Sequence, residues 1–408
     1  MGIVSKYIIK KVTQRLQCFK IAGNFKNILK LHFAIVLILS SVHIESQEIL
    51  PGAYSMSNYQ TVITNKRIAL VANQTSMVGN THLLDTLHSL GIKIQKVFCP
   101  EHGFRGNVEA GERVKTETDA KTGIKIVSLY GRHYKPKPSE LSDIDIVVFD
   151  IQDVGVRCYT YLSTLHYVME ACAENNKKLI VLDRPNPNGF YIDGPVLDLK
   201  YKSFVGLHPV PLVYGMTIGE YAQMINDEKW LKNEVNCDLA VIPCKNYTHQ
   251  SRYSLPVRPS PNLRDMQAVY LYPSLTLFEG TCINIGRGTD FPFKVFGSPK
   301  LTNCDFTYTP ECDPKVLPMH CDTLCYGVDL RNYQLPDSNC FTLKWLIQAY
   351  SNYPEKSKFF NIFFYNLSGN KELRQQIEAG KSEQEIRDSW KEGINKFKLI
   401  RAKYLLYP

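Results

Sequence analysis

Several motifs that mark common enzyme classes are missing from this 408-residue sequence. No Gly-x-Gly-x-x-Gly follows a predicted strand, and no Gly-x-x-x-x-Gly-Lys-Ser/Thr occurs, so neither a dinucleotide site nor an NTP-binding loop is indicated. A Gly-x-Ser-x-Gly elbow is also absent, which argues against a serine hydrolase. Low-complexity segments and internal repeats at solenoid or propeller periods are lacking too, so ordinary globular domains are expected.

The body of the chain has no Lys/Arg block that could follow a phosphate backbone. The formal charge is +9, but residues 1–46 hold seven Lys or Arg and one acid, so +6 of this charge belongs to that first segment. The remaining +3 is common in soluble proteins. The charge distribution therefore predicts no nucleic-acid partner.

The first segment has the composition of an export signal. A cationic stretch precedes an apolar run over residues 31–44, and this order is typical of a signal peptide. The run is shorter than the roughly 20 residues of a membrane span. Because the cationic part is long, an uncleaved signal anchor and a misassigned start codon stay open. We predict a signal peptide or signal anchor over residues 1–47 and a secreted or periplasmic protein, which contacts a membrane only if an anchor is retained.

Five of the twelve cysteines cluster in one irregular, Pro-rich stretch. They are Cys304, Cys312, Cys321, Cys325 and Cys340. In an exported protein, such a cluster favours local disulfides. Two alternatives stay open. The first four cysteines could bind zinc with His320 nearby, although their spacing matches no standard zinc module. The cysteines could also be free thiols.

The first half of the chain alternates short β-branched runs with amphipathic helices. Strands are predicted over residues 67–73, 93–98, 144–149, 178–182 and 237–243. Helices are predicted over residues 81–90 and 161–174, and a Thr217–Glu220 capping box precedes a third. Near-continuous apolar strands indicate burial on both faces, so the predicted fold is an α/β, Rossmann-like parallel sheet domain.

The second half has a different composition. Residues 246–340 are rich in Pro, Gly, Asn and aromatics, whereas residues 341–352 and 371–404 have helical patterns. We therefore predict a Rossmann-like catalytic domain over residues 48–250 and a smaller α+β auxiliary domain over residues 251–408.

Polar side chains follow four of the predicted strands in turn. They are Asn73 after the first strand, Glu101, His102 and Arg105 after the second, Asp150, Gln152, Asp153 and Arg157 after the third, and Arg184 and Asn186 after the fourth. Ligands of open α/β sheets bind outside the carboxyl ends of the strands. The sequence thus predicts a binding cleft at this edge.

The acids in this set suit glycosidic cleavage, which usually needs two carboxyl groups. Glu101 directly follows an apolar strand, where burial would keep it protonated as a general acid. Capping of the next loop, or pairing with Arg105, is its structural alternative. Glu112 and Asp153 are the candidates for the second carboxyl, and Asp150 is equally suited to hold backbone amides.

Several further residues are candidate substrate ligands. Arg105, Arg157 and Arg184 suit a substrate carboxylate, because a guanidinium binds carboxylates with two hydrogen bonds, or they pair with neighbouring acids. His102 is either catalytic or structural. In the second half, Glu279 and Arg287 form either a binding loop or a turn closed by a salt bridge between Arg287 and an acid, and Ser260-Pro-Asn262 is a further polar loop.

Ten short motifs follow one another along the sequence. They are Pro100-Glu-His-Gly-Phe-Arg-Gly106, Ala110-Gly-Glu112, Ser128-Leu-Tyr-Gly131, Phe149-Asp-Ile-Gln-Asp-Val-Gly155, Tyr159-Thr-Tyr161, Leu182-Asp-Arg-Pro-Asn-Pro187, Asp193-Gly-Pro195, Gly215-Met-Thr217, Glu279-Gly-Thr281 and Gly286-Arg-Gly-Thr289. In this order they resemble the exo-β-N-acetylmuramidase family, and the resemblance extends over residues 55–408. The resemblance implies an active centre in the Rossmann-like domain, an auxiliary domain that closes the cleft, and Glu101, then Glu112, as catalytic candidates. Cys99 before the first motif, and Tyr214 where a His is expected, depart from the family pattern.

The predicted function is therefore that of an exo-acting glycoside hydrolase that uses no cofactor or metal. The resemblance implies release of N-acetylmuramic acid from the non-reducing end of peptidoglycan fragments, and the lactyl carboxylate of that sugar suits the arginines named above. A secreted, non-catalytic cell-wall sugar-binding protein is the alternative. A metal-dependent hydrolase is the third hypothesis, although the His and acid residues that could bind a metal form no compact motif.

Overall fold

A computed structural model describes residues 47–105, 116–313 and 317–408. The predicted leader and the candidate Glu112 lie outside these described residues, apart from residue 47. Within the described ranges, no helix has both the length and the apolar composition that a membrane span requires.

The strands and α-helices are numbered here in chain order over the described residues. The strands are β1 (Arg67–Ala72), β2 (Met77–Val78), β3 (Thr81–His82), β4 (Lys93–Cys99), β5 (Glu117–Thr118), β6 (Lys125–Ser128), β7 (Ile146–Asp150), β8 (Lys178–Leu182), β9 (Leu239–Ile242), β10 (Val295–Ser298), β11 (Phe306–Tyr308) and β12 (Cys325–Asp329). The helices are α1 (Gln60–Ile63), α2 (Leu83–Ser89), α3 (Pro138–Leu141), α4 (Tyr161–Glu174), α5 (Ile218–Asp227), α6 (Met266–Leu275), α7 (Lys344–Asn352), α8 (Phe364–Ser368), α9 (Glu372–Glu378) and α10 (Glu383–Arg401).

Seven strands form the main sheet in the order β5-β6-β4-β1-β7-β8-β9. All neighbours pair in parallel except β5, which runs antiparallel to β6 at one edge. The predicted α/β class and its parallel sheet are confirmed. The central strands β1 and β7 are almost wholly buried because helices cover both faces, which explains their near-continuous apolar sequence.

The strands β5 and β6 were not predicted. Strand β6 has only four residues, and β5 is an exposed two-residue edge strand. The two residues of β5 are too few for a periodic pattern, and β6 is defined by its pairing with β4 and β5.

The helices follow their local signals closely. Helix α4 has the predicted bounds, and the predicted capping box at the start of α5 is present: the Glu220 amide donates to Thr217 Oγ1, and the Thr217 amide donates to Glu220 Oε2 at 2.9 Å. The helix predicted over residues 371–404 is divided into α9 and α10. Gly380 separates them with a left-handed φ of 72°, which interrupts the helical hydrogen bonds.

The second half forms a smaller α+β part, as predicted. Strands β10, β12 and β11 form an antiparallel sheet in that order, beside helices α6 to α10. Gly297 faces Gly327 in this sheet, and a Cβ on Gly327 would overlap the carbonyl oxygen of Phe296. Glycine weakens a strand signal, so β10 and β12 were not visible in the sequence, and the three residues of β11 are too few for a periodic pattern. Both parts belong to one compact unit, Ile49–Pro408, and the domain boundary near residue 250 stays a prediction.

Candidate active site

A cavity of about 410 Å³ lies beside the carboxyl end of β4, between the main sheet and the second half of the chain. This volume is in the usual range of small-molecule sites. From the first half of the chain, its lining includes Glu101, His102, Tyr130, Tyr159, Thr160 and Phe204. From the second half, it includes Ser260, Asn262, Tyr272, Glu279, Arg287, Phe293, Leu317, Pro318, Met319 and Phe363.

Glu101 enters the cavity from a tight turn that directly follows β4. His102 and Gly103 have φ values of 70° and 75°, a left-handed conformation that turns the chain sharply. The Glu101 side chain is 9% exposed, and its Oε2 accepts a hydrogen bond from Thr160 Oγ1 at 2.7 Å. Because Thr160 immediately precedes α4, the segment after β7 meets the turn after β4 at the cavity.

Glu279 and Arg287 form an ion pair on the cavity wall. Arg287 Nη2 lies 2.5 Å from Glu279 Oε1, and both side chains are about one-quarter exposed. Arg287 stands between Gly286 and Gly288, which both have positive φ, and its guanidinium carbon lies 5.3 Å from the centre of the Phe293 ring. The salt bridge of the turn alternative is present, and both of its residues face the cavity; the binding role of the loop stays a prediction.

The other candidate arginines have partners elsewhere. Arg157 is fully buried and donates at 2.8 Å to each of three backbone carbonyls, those of Pro195, Val210 and Leu367. A cation surrounded by carbonyl oxygens cross-links the backbone segments that supply them. The structure thus gives Arg157 a position inside the protein, away from the cavity lining.

Arg184 and Arg105 each pair with an acid. Arg184 donates to both oxygens of the buried Asp150, at 2.6 and 2.9 Å. Arg105 lies 2.5 Å from Asp119, and its guanidinium carbon is 4.6 Å from the centre of the Phe104 ring. Neither pair lines the cavity, so the structure does not bring these arginines together with Glu101.

Asp153 is buried and does not belong to the cavity lining. The Gly155 amide donates to Asp153 Oδ2 at 2.6 Å, and the Tyr214 hydroxyl donates to the same oxygen. Burial raises the pKa of Asp153 to about 7, because a carboxylate loses its hydration there. Tyr214, which replaces the expected His of the family pattern, is therefore the hydroxyl partner of this acid.

The candidate amides also have structural hydrogen bonds. Gln152 Nε2 donates to the carbonyls of Asp153 and Pro185. Asn73 Oδ1 accepts from Thr75, and Asn186 Nδ2 donates to the Met216 carbonyl. These side chains shape the loops at the sheet edge.

Sequence reasoning missed part of the cavity wall. Thr160 and Tyr130 line the cavity but were not predicted as site residues. Both lie inside family motifs, Tyr159-Thr-Tyr161 and Ser128-Leu-Tyr-Gly131, which could have identified them. Leu317, Pro318 and Met319 lie in no such motif, and no local pattern indicates that they line the cavity. The Asn284 side chain holds this segment by donating to the Met319 carbonyl at 2.7 Å.

One predicted local disulfide is present, between Cys312 and Cys321. Cys304, Cys325 and Cys340 are free thiols. Across the described ranges, the group of His, Cys and acid side chains close enough to hold a metal is Cys312, Cys321 and Asp322. The disulfide occupies both of its sulfur atoms, so the zinc alternative loses two of its four thiolates.

Comparison with known proteins agrees with this architecture. The family described as exo-beta-N-acetylmuramidase NamZ matches with its N-terminal part over residues 68–267 and its C-terminal part over residues 270–407. The Bacillus subtilis peptidoglycan beta-N-acetylmuramidase NamZ is 38% identical over 379 residues, which cover 86% of this chain and 89% of the relative.

Two solved structures of DUF1343 family proteins from Bacteroides fragilis have the same fold. One has a TM-score of 0.82 at 47% identity and the other a TM-score of 0.77 at 28% identity; each comparison covers 88% of this chain and 99% of the solved one. With both parts of the family matched in order along most of its length, the chain belongs to the exo-β-N-acetylmuramidase NamZ family.

Proposed function

We propose that this protein is an exo-acting glycoside hydrolase that releases N-acetylmuramic acid from the non-reducing end of peptidoglycan fragments. The observation that carries the proposal is Glu101, a nearly buried carboxyl at the end of a parallel strand, in a cavity that also contains the Arg287 guanidinium. The name of the Bacillus subtilis relative supports the same reaction and substrate.

Glu101 acts as the general acid in this proposal. Its proton passes to the glycosidic oxygen as the bond to the anomeric carbon breaks, and water supplies the hydroxyl group of the released sugar. Thr160 donates to Glu101 Oε2 and so holds the carboxyl in one orientation. Such pre-organisation lowers the cost of aligning the acid with the leaving oxygen.

Arg287 is the guanidinium best placed to receive the lactyl carboxylate. Its ion pair with Glu279 leaves it on the cavity wall, about one-quarter exposed, whereas Arg105, Arg157 and Arg184 lie outside the lining. An incoming carboxylate would share this cation with Glu279, because a planar guanidinium can bind more than one acceptor. Glu112 and Asp153 stay predictions for the second carboxyl.

We also propose that the protein is secreted or periplasmic, with residues 1–47 as its signal peptide or anchor. The Cys312–Cys321 disulfide supports this location, because disulfides persist in oxidising compartments. Fusion of residues 1–47 to a reporter that is active only outside the cytoplasm tests it. A reporter that stays inactive, although it is made, contradicts the proposal.

The activity is tested with a chromogenic N-acetylmuramide, with the matching N-acetylglucosaminide as the substrate control. The wild-type protein should release the chromophore from the muramide alone. Glu101→Gln keeps the shape of the side chain but has no acidic proton, so turnover should fall about 10²–10⁴-fold while sugar binding persists.

Glu392→Gln is the matched control, since Glu392 is 81% exposed on α10. It should retain wild-type turnover. Absence of release by the wild-type protein would refute the proposed activity. Full turnover by Glu101→Gln would remove Glu101 from the mechanism.

A further inference from the structure

Four aromatic side chains form a cluster that begins in the cavity lining. We call Tyr130, Tyr134, Tyr167 and Phe204 the aromatic platform. The Tyr134 and Phe204 rings are stacked with their centres 4.2 Å apart, and Tyr167 is nearly parallel to both, at 6.2 and 6.4 Å. The Tyr130 ring lies 6.0 Å from Phe204 and 6.3 Å from Tyr134.

The platform is only half-buried. All four side chains remain partly exposed to solvent, although each carries a large apolar ring. Single exposed apolar residues are ordinary, but a contiguous exposed group marks an interaction site. Packing of the core therefore does not explain why these four rings are grouped at the surface.

Helix α4 holds the platform in place. Lys135, next to Tyr134, forms ion pairs with Glu170 and Glu174 of α4 at 2.6 and 2.7 Å. Ser163 of the same helix donates to the Phe204 carbonyl at 2.7 Å. Because Thr160, just before α4, binds Glu101, one rigid element positions both the acid and the platform.

The platform is continuous with the cavity. Tyr130 and Phe204 line the cavity, whereas Tyr134 and Tyr167 extend the aromatic surface beyond its lining. An exo-acting enzyme encloses the terminal sugar, and the remainder of the glycan must leave through the opening. Because Tyr134 and Tyr167 are partly exposed, the aromatic surface continues from the cavity lining to solvent.

The chemistry of the platform fits the sugars that follow the cleaved bond. The C–H face of a pyranose ring is apolar and packs against aromatic rings. Every second sugar of this glycan also carries a lactyl carboxylate, and exposed Arg132 and Lys202 lie in the two loops that supply Tyr134 and Phe204. The two cationic side chains and the aromatic rings thus both suit a ligand that has sugar rings and carboxylates.

We propose that the aromatic platform is a binding site for the third and later sugars of the glycan chain, so that the enzyme favours longer chains over a disaccharide. This inference rests on the proposed function, because it places the terminal sugar against Glu101. It adds a ligand site that extends beyond the cavity lining and a preference for chain length.

Tyr134→Ala tests the proposal, since Tyr134 belongs to the platform but not to the cavity lining. The substrates are peptide-free: the disaccharide of N-acetylmuramic acid and N-acetylglucosamine, and the hexasaccharide of three such units. Wild type should have the higher kcat/KM on the hexasaccharide. Tyr134→Ala should lower that value about five- to tenfold, in the range of one lost aromatic contact, and leave the value on the disaccharide unchanged.

Two further variants make the result specific. Tyr134→Phe preserves the ring and should behave as wild type. Tyr326→Ala removes a 40% exposed tyrosine from β12 and should leave the chain-length preference unchanged. An equal loss on both substrates, or no loss on either, would overturn the proposal.

Failure of the proposed function gives a different result. If wild type releases no N-acetylmuramic acid from either substrate, the activity itself is refuted. Titration of Glu101→Gln with the uncleaved hexasaccharide then tests the platform independently. Adding Tyr134→Ala to that variant should raise the Kd for the hexasaccharide about five- to tenfold and leave that for the disaccharide unchanged, and equal Kd values would overturn the proposal.

Discussion

Replacement of Asp153 by Asn should remove a pH-dependent loss of stability. Asp153 is 4% exposed, and the Gly155 amide and the Tyr214 hydroxyl both donate to its Oδ2. Burial raises its pKa from the usual 3.8 to about 7. An Asn side chain has nearly the same shape and still offers an oxygen to both donors, but it never ionises.

The sign and size of the effect follow from proton linkage. Between about pH 4 and 7, the folded protein retains a proton on Asp153 that the unfolded chain has released. Stability therefore falls as the pH rises through this window. At about 1.4 kcal/mol for each pKa unit, the loss attributable to Asp153 is on the order of 4 kcal/mol at pH 7.

Urea unfolding at pH 4.5, 6.0 and 7.5 measures this contribution. The free energy of unfolding of Asp153→Asn, relative to wild type, should increase from the lowest pH to the highest. Asp227→Asn is the control, because Asp227 is exposed at the end of α5, and it should leave the pH dependence unchanged. The reasoning is refuted if Asp153→Asn shows the wild-type pH dependence, or if it is most strongly destabilised at pH 7.5. Loss of turnover in a stable Asp153→Asn protein would instead support the predicted role of Asp153 as the second carboxyl.

Two other substitutions have expected outcomes. Arg157→Met should lower the free energy of unfolding by about 3–6 kcal/mol in urea titrations, because three buried carbonyls lose their donor; a loss below about 1 kcal/mol would contradict the cross-linking role. Thr160→Val should lower kcat on the muramide about tenfold with a smaller change in KM, since Glu101 loses the hydroxyl that orients it. Thr160→Ser, which restores a hydroxyl, should recover most of the rate, and a Ser variant as slow as the Val variant would show that the hydroxyl is not what matters.

Much of the first half could be predicted from the sequence, because local patterns govern it. Helix α4 and the capping box of α5 follow from side-chain periodicity and from hydrogen bonds within one turn. The buried strands of the parallel sheet follow from their apolar runs. The position of Glu101 at the end of β4 follows in turn, since a strand's end is a local property.

Only the tertiary structure decided which polar residues face the cavity. Arg157 and Arg287 look alike in sequence, yet the carbonyl partners of Arg157 lie 38 to 210 residues away and enclose it, whereas Arg287 is held at the cavity by Glu279 in the neighbouring turn. Likewise, the choice of Cys312 and Cys321 among five clustered cysteines depends on where the folded backbone places them. Contacts between distant segments set the direction in which a side chain points, and a local pattern carries no information about those contacts.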